Sequence, residues 1–213
     1  MLNILRFVYY WLATYFAGVV SFCFYPCRTY GRENIPKAGG CIYASNHESN
    51  IDPVLLPVVS PRRIRFLAKD SLFSHPVLGA LIRFGGGIPL KRGSADRGAL
   101  TEVLQSLKDG WPVLIFPQGT RGGEKPQAGV GFLAVKSGVP VVPIFIDGSA
   151  MVLPKGARFP KRTLVKVYFG KPLTFSPDVA SADAAGQIMQ AILACKPEAG
   201  AARADLSARN SGL

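Results

Sequence analysis

Two patterns of apolar residues divide this chain. The first is a single run: no residue from 7 to 25 carries a charge, and Phe7, Tyr9, Tyr10, Trp11, Tyr15, Phe16, Phe22, Phe24 and Tyr25 spread aromatic rings along it. A helix needs about 20 apolar residues to cross a bilayer, so the length is borderline for spanning. Aromatic rings favour the membrane–water interface, and their even spread leaves an anchor lying in one leaflet equally open. Residues 1–27 are therefore expected to form a membrane-anchoring apolar helical segment. The bulky end at residues 22–25 lacks the small side chains of a signal-peptide cleavage site. Arg28, Arg32 and Lys37 follow the run and only Arg6 precedes it. That bias predicts a main domain on the cytoplasmic face, at the inner membrane if the source is bacterial.

After residue 27 the pattern changes to short apolar runs separated by segments of helical period. Residues 41–45, 63–68, 88–90, 112–116 and 139–146 read as strands, and 164–169 alternates as a half-buried strand should. Helices are expected from Asp52, over 75–84, from a Ser94 cap to Gly110 with Leu100, Val103, Leu104 and Leu107 on one face, over 131–137 and over 178–194. Strands interleaved with helices predict an α/β domain over residues 28–195, a central mixed sheet flanked by helices. Residues 196–213, rich in Ala, Gly, Arg and Ser, read as a flexible tail.

A length of 213 residues with 48% hydrophobic content fits one domain and a short appendage. Twenty-five basic against thirteen acidic residues give a net charge of +12. Such a surface attracts nucleic acid, anionic lipid or phosphorylated substrates. No base-stacking motif or groove-reading helix is present in the pattern, so nucleic acid is not expected as a partner. The four cysteines form no CxxC pair and have no histidine cluster, which excludes a zinc or thioredoxin-like motif and leaves buried thiols.

Candidate chemistry begins at the end of the run 41–45. Only two histidines occur, and His47 stands five positions before Asp52, whereas His75 has no acidic neighbour of that kind. A base paired with a carboxylate can activate a hydroxyl nucleophile. Positions five apart lie about 140° out of register on a helix, so the two can meet only across a non-helical turn. Asp52 followed by Pro53 reads as an N-cap and a first helical residue, which places that turn just before the helix. Gly119, Thr120 and Arg121 bring a flexible backbone, a hydroxyl and a guanidinium together after the strand 112–116, suited to a phosphate. Lys91 and Arg92 follow the strand 88–90 and either approach the same anion or remain solvated surface cations.

Four blocks in order resemble the phospholipid/glycerol acyltransferase family, most closely its 1-acylglycerol-3-phosphate acyltransferases. They are His47 with Asp52 (HxxxxD), Gly87 to Arg92 (GIPLKR), Phe116 to Arg121 (FPQGTR) and Val139 to Ile144 (VPVVPI). The resemblance implies a glycerolipid acyltransferase-like fold with Pro143 in an apolar block near the site. It implies transfer of a fatty acyl group from acyl-CoA or acyl-carrier protein to the free hydroxyl of 1-acylglycerol-3-phosphate, giving phosphatidic acid, with no metal or resident cofactor. His47 would be the general base and Asp52 its orienting acid. Lys91, Arg92, Gln118, Gly119, Thr120 and Arg121 would bind the acceptor. Implied partners are membrane lipids, a lyso-lipid acceptor and the acyl donor. Six cations between Asp147 and Asp178, with no acid among them, would meet lipid head groups, coenzyme A or a carrier protein. Gln118 departs from the family's usual glutamate and loses a charge. It keeps another lyso-lipid acceptor open, a lysophospholipid or an aminoacyl lyso-lipid. A catalytically silent lipid-binding relative is a separate alternative.

Overall fold

The computed structural model describes residues 4, 5, 8–10, 12, 26–91, 96–119, 127–154, 157 and 161–196. Most of the expected anchor and nearly all of the expected tail therefore lie outside the described residues. Among the described residues, no helix is long and apolar enough to cross a membrane.

Seven strands form one sheet: β1 (Cys27–Tyr30), β2 (Cys41–Ser45), β3 (Arg65–Lys69), β4 (Gly87–Leu90), β5 (Pro112–Ile115), β6 (Val141–Asp147) and β7 (Val165–Phe169). Their order is β1-β7-β6-β2-β5-β3-β4. Neighbours are parallel except β6 against β7, which makes the sheet mixed. The helices are α1 (Asp52–Val59), α2 (Pro76–Phe84), α3 (Arg97–Lys108), α4 (Ala128–Ser137), the single turn α5 (Ser149–Val152) and α6 (Ser181–Ala194).

Strand β2 is buried at all five positions, as a parallel strand covered on both faces should be. Its alternate side chains feed two cores. Ile42 and Ala44 join Val113, Val141 and the inner faces of α3, α4 and α6, while Cys41 and Tyr43 join Leu114, Ile144 and the Leu55, Leu56 and Val59 face of α1. Burial pushes the Cys27 and Cys41 thiols up to about 11, so both stay protonated at neutral pH.

Several expected boundaries shift for local reasons. Strand β1 has no alternation, all four residues being half-buried, and it becomes a strand only by pairing with the distant β7. His75 is not helical. It is the N-cap of α2, its Nδ1 accepting the Leu78 N–H at 3.2 Å, and Pro76 begins the helix. The cap of α3 is Asp96, whose Oδ1 accepts the Ala99 N–H at 3.1 Å while Oδ2 accepts the Lys91 N–H at 2.9 Å. Ser94, the expected cap, lies outside the described residues. Helix α6 begins at Ser181 rather than 178, because the Ser176 hydroxyl bonds the Asp178 carboxylate in a local turn.

Candidate active site

Two loops leave the carboxyl ends of adjacent strands in opposite directions. The loop after β2 leads into α1 on one face of the sheet, and the loop after β5 leads to α4 on the other. Adjacent connections that diverge in this way open a crevice above the strand ends, where open α/β sheets bind ligands. His47 and Phe116 lie in the first residues after β2 and β5, at those strand ends. Their rings stack with centroids 4.2 Å apart and an interplanar angle of 22°.

Asn46 explains why the chain leaves the sheet here. Its side-chain amide takes over the next rung: Nδ2 donates to the Ile146 carbonyl at 2.9 Å, and Oδ1 accepts the Ile146 N–H at 2.7 Å. With β6 satisfied by a side chain, the backbone at His47 is free to turn. Its N–H donates to Gln118 Oε1 at 3.0 Å, tying the two loops together. Asn46 Nδ2 also lies 3.3 Å from Glu48 Oε1, bracing the first turn of the loop.

His47 and Asp52 meet as the spacing predicts, with Nδ1 2.9 Å from Oδ2. The same oxygen accepts the backbone N–H groups of Glu48 at 2.9 Å and Ser49 at 2.8 Å. Asp52 is fully buried and His47 almost so. An oxygen that already takes two N–H donors can only accept from the ring, so Nδ1 carries a proton, and in the neutral ring the lone pair falls on Nε2. The expectation of Asp52 as N-cap is corrected. Ile51 holds that position, Asp52 is the first helical residue, and its carboxylate faces back toward the preceding loop instead of forward into the helix. The charge is used to fold the loop around His47.

The remaining expected site residues divide. Gln118 is brought to the loop of His47, and Gly119 follows it at φ +67°, a left-handed turn closed by its N–H on the Phe116 carbonyl at 2.9 Å. Pro143 is buried within β6 opposite Ala44, so it lies in the wall beneath the site rather than at its mouth. Lys91 is exposed, and its contact is a backbone bond to Asp96. Arg92, Thr120 and Arg121 lie outside the described residues. Neither Asn46 nor the ring of Phe116 has a role in the sequence pattern. The available signal for Asn46 was an amide directly after a short, mostly apolar strand.

An apolar cavity adjoins the helix that carries Asp52. It is lined by Pro53, Val54, Pro57, Phe66, Leu81 and Tyr9, among others.

The family sequence pattern described as Acyltransferase matches residues 27–147, more than half of the chain. The chain belongs to the Acyltransferase family. Among its relatives is the chloroplastic 1-acyl-sn-glycerol-3-phosphate acyltransferase BAT2 of Brassica napus, 31% identical over 156 residues, which cover 70% of this chain and 45% of the relative. The 1-acyl-sn-glycerol-3-phosphate acyltransferase of Bacillus subtilis is 28% identical over 149 residues, covering 68% of this chain and 73% of that protein. The chain spans about half the length of the plant chloroplast relatives it matches. Its fold is similar to the crystal structure of the 1-acyl-sn-glycerophosphate (LPA) acyltransferase PlsC from Thermotoga maritima, with a TM-score of 0.74 and 26% identity. That match covers 89% of this chain and 79% of the other.

Proposed function

We propose that this family member transfers a fatty acyl group from an acyl thioester, of coenzyme A or acyl-carrier protein, to the free hydroxyl of 1-acylglycerol-3-phosphate, yielding phosphatidic acid. The observation that carries the reading is the His47–Asp52 pair at 2.9 Å, held at the crevice of a family fold whose named relatives act on that acceptor. His47 Nε2 takes the proton of the acceptor hydroxyl as that oxygen attacks the thioester carbonyl. The tetrahedral intermediate then expels the thiolate, and the imidazolium returns the proton to sulfur. Asp52 holds the ring in the tautomer this requires and stabilises the cation that forms. No metal or resident cofactor enters the sequence of steps.

Arg121, Arg92, Lys91 and Thr120 are assigned to the acceptor phosphate on the motif positions they fill, and Gly119 on its place in the same turn. Residues 7–25 are assigned to a membrane, with the catalytic domain on the cytoplasmic face. The discriminating assay offers lysophosphatidate beside a zwitterionic lysophospholipid and a neutral monoacylglycerol. Lysophosphatidate should give the highest kcat/KM. Equal use of all three would overturn the acceptor assignment, and no turnover with any would favour a silent lipid-binding relative.

Gln118 spends its carbonyl on the His47 N–H, which supports a positioning role over substrate reading. Gln118→Glu keeps that acceptor, so acceptor preference should be unchanged. Gln118→Ala should lower kcat about tenfold with KM little altered, because the histidine loop loses its tie. A changed preference in Gln118→Glu would return the residue to the substrate pocket.

Asn46→Ala removes both bonds to Ile146 and leaves a buried N–H and carbonyl unpaired, which costs about 1–3 kcal/mol. Turnover should fall by roughly ten- to a hundredfold as His47 loses its aim. Denaturant midpoints and single-turnover rates on the same preparation separate the two effects.

A further inference from the structure

Exposed large apolar side chains are not scattered over this protein. Of thirteen such residues among those described, nine belong to the helical N-terminal residues, α1, α2 and the 3-10 turn before α2. Helix α2 is the extreme case. Its sequence, PVLGALIRF, has one charge, yet Gly79 alone is buried. A Cβ on Gly79 would collide with the Phe73 carbonyl, so this is the side on which the helix packs. Val77 and Leu81 lie roughly 160° around the axis from Gly79. They are 64% and 45% exposed, and Leu78 and Leu72 are 42% and 41% exposed.

The N-terminal residues have the same polarity. Ile4, Leu5, Val8 and Leu12 are each helical and all exposed. Tyr10 is buried, its oxygen accepting the Ile64 N–H at 3.1 Å. Tyr9 joins this segment to α2, donating its O–H to the Leu81 carbonyl at 3.3 Å and meeting the Phe84 ring edge-on at 5.8 Å. The exposed N-terminal residues therefore adjoin α2, and Tyr9, Val54 and Leu81 share the lining of one cavity there.

Contiguous apolar faces of this kind mark a lipid or protein contact. The charges around this one select lipid. Lys69 and Lys91 lie before and after α2 and Arg83 in its last turn, and the Arg83 guanidinium lies over the Phe73 ring at 5.0 Å, an arrangement suited to a cation at the level of anionic head groups. Of the acids on the same stretch, Asp96 is engaged in capping α3 and Asp70 accepts the Ser71 N–H.

We propose that α2 and the turn before it enter the interface of an anionic leaflet, so that the catalytic domain itself, and not only the N-terminal segment, lies in the membrane surface. The cavity beside Tyr9 and Leu81 then opens onto the acyl region of that leaflet. This rests on the reading of the chain as a membrane-associated lipid acyltransferase, and the experiment keeps the two apart.

The full chain is floated with phosphatidylglycerol-containing vesicles as wild type, as Val77→Asp/Leu78→Asp and as Phe132→Asp, an exposed apolar site on α4 outside the patch. The double variant should partition about tenfold or more weakly. Phe132→Asp should float as wild type. Turnover of the double variant on a short-chain lysophosphatidate dissolved as monomers should be unchanged, while its apparent KM for bilayer-borne acceptor rises. If the double aspartate variant does not fold, Val77→Gln/Leu78→Gln carries the same expectation. A double variant that floats like wild type overturns the role of α2 and leaves membrane association standing. Wild type that does not float overturns membrane association itself. A wild-type dimer on sizing that the double variant loses, with vesicle binding equal, assigns the face to a second copy of the chain and overturns the proposal.

Discussion

Replacing His47 by alanine is expected to lower turnover on lysophosphatidate by about 10² to 10⁴, the range over which positioned general bases act, while leaving the fold intact. The imidazole packs on Phe116 at the crevice and belongs to neither of the two cores, so its loss opens no large cavity. Asp52 has two roles. Its Oδ2 holds the Glu48 and Ser49 N–H groups as well as the ring, so Asp52→Ala leaves buried donors unpaired and should cost about 1–3 kcal/mol of stability besides activity. Asp52→Asn keeps an acceptor oxygen for those N–H groups, removes the charge and sets an amide NH2 where Oδ1 is buried without a partner. It should cost about 1–3 kcal/mol of stability and lose at least about 10² in kcat in the folded protein, because the cationic ring of the transition state is no longer balanced. The double variant His47→Ala/Asp52→Asn should be no slower than His47→Ala alone, since residues that act as one unit are not additive. Circular dichroism, denaturant midpoints and steady-state rates decide the matter. A folded His47→Ala with near-normal turnover would remove His47 from the chemistry.

Much of this site was legible because its causes are local. A fully apolar run that ends in polar residues marks the carboxyl edge of a buried strand. A separation of about 140° on a helix then requires the turn that Asp52 closes. The order of blocks carried the family. What escaped the sequence depends on partners far along the chain. The side chain of Asn46 completes a ladder with a residue 100 positions away, and Gln118 reaches a backbone N–H 71 positions back. The pattern points to Asp52 as a forward cap because capping is the usual use of an aspartate before proline. The need to hold His47 outweighed it. Tyr9 and Tyr10 were read as interface anchors from composition, yet one hydroxyl reaches the Leu81 carbonyl and the other takes the Ile64 N–H. Strand β1 lacked any period to detect, since an edge strand half-buried at every position has no polar face and no apolar face.

Gly131→Ala is expected to destabilise the protein by about 2–3 kcal/mol, although helix propensity alone favours alanine by about 1 kcal/mol. The position lies inside α4, where that helix crosses the first turn of α6. A Cβ there would run into the Ser181 carbonyl and come within 2.8 Å of the Ala185 N. Both are backbone atoms of another helix, so relief requires α6 to shift as a body. Such a shift unpacks Ala184, Ala185, Ile188 and Ile192 from Val130, Leu133 and Ala134, which together cover one face of the sheet beneath β2. The control is Gly186→Ala on α6 itself, where a Cβ meets nothing within 4 Å. There only the propensity remains, and stability should rise by about 0.5–1 kcal/mol. Urea midpoints of the two variants should thus move in opposite directions from one substitution type, and two midpoints moving the same way would show that close packing at Gly131 does not hold α4 against α6.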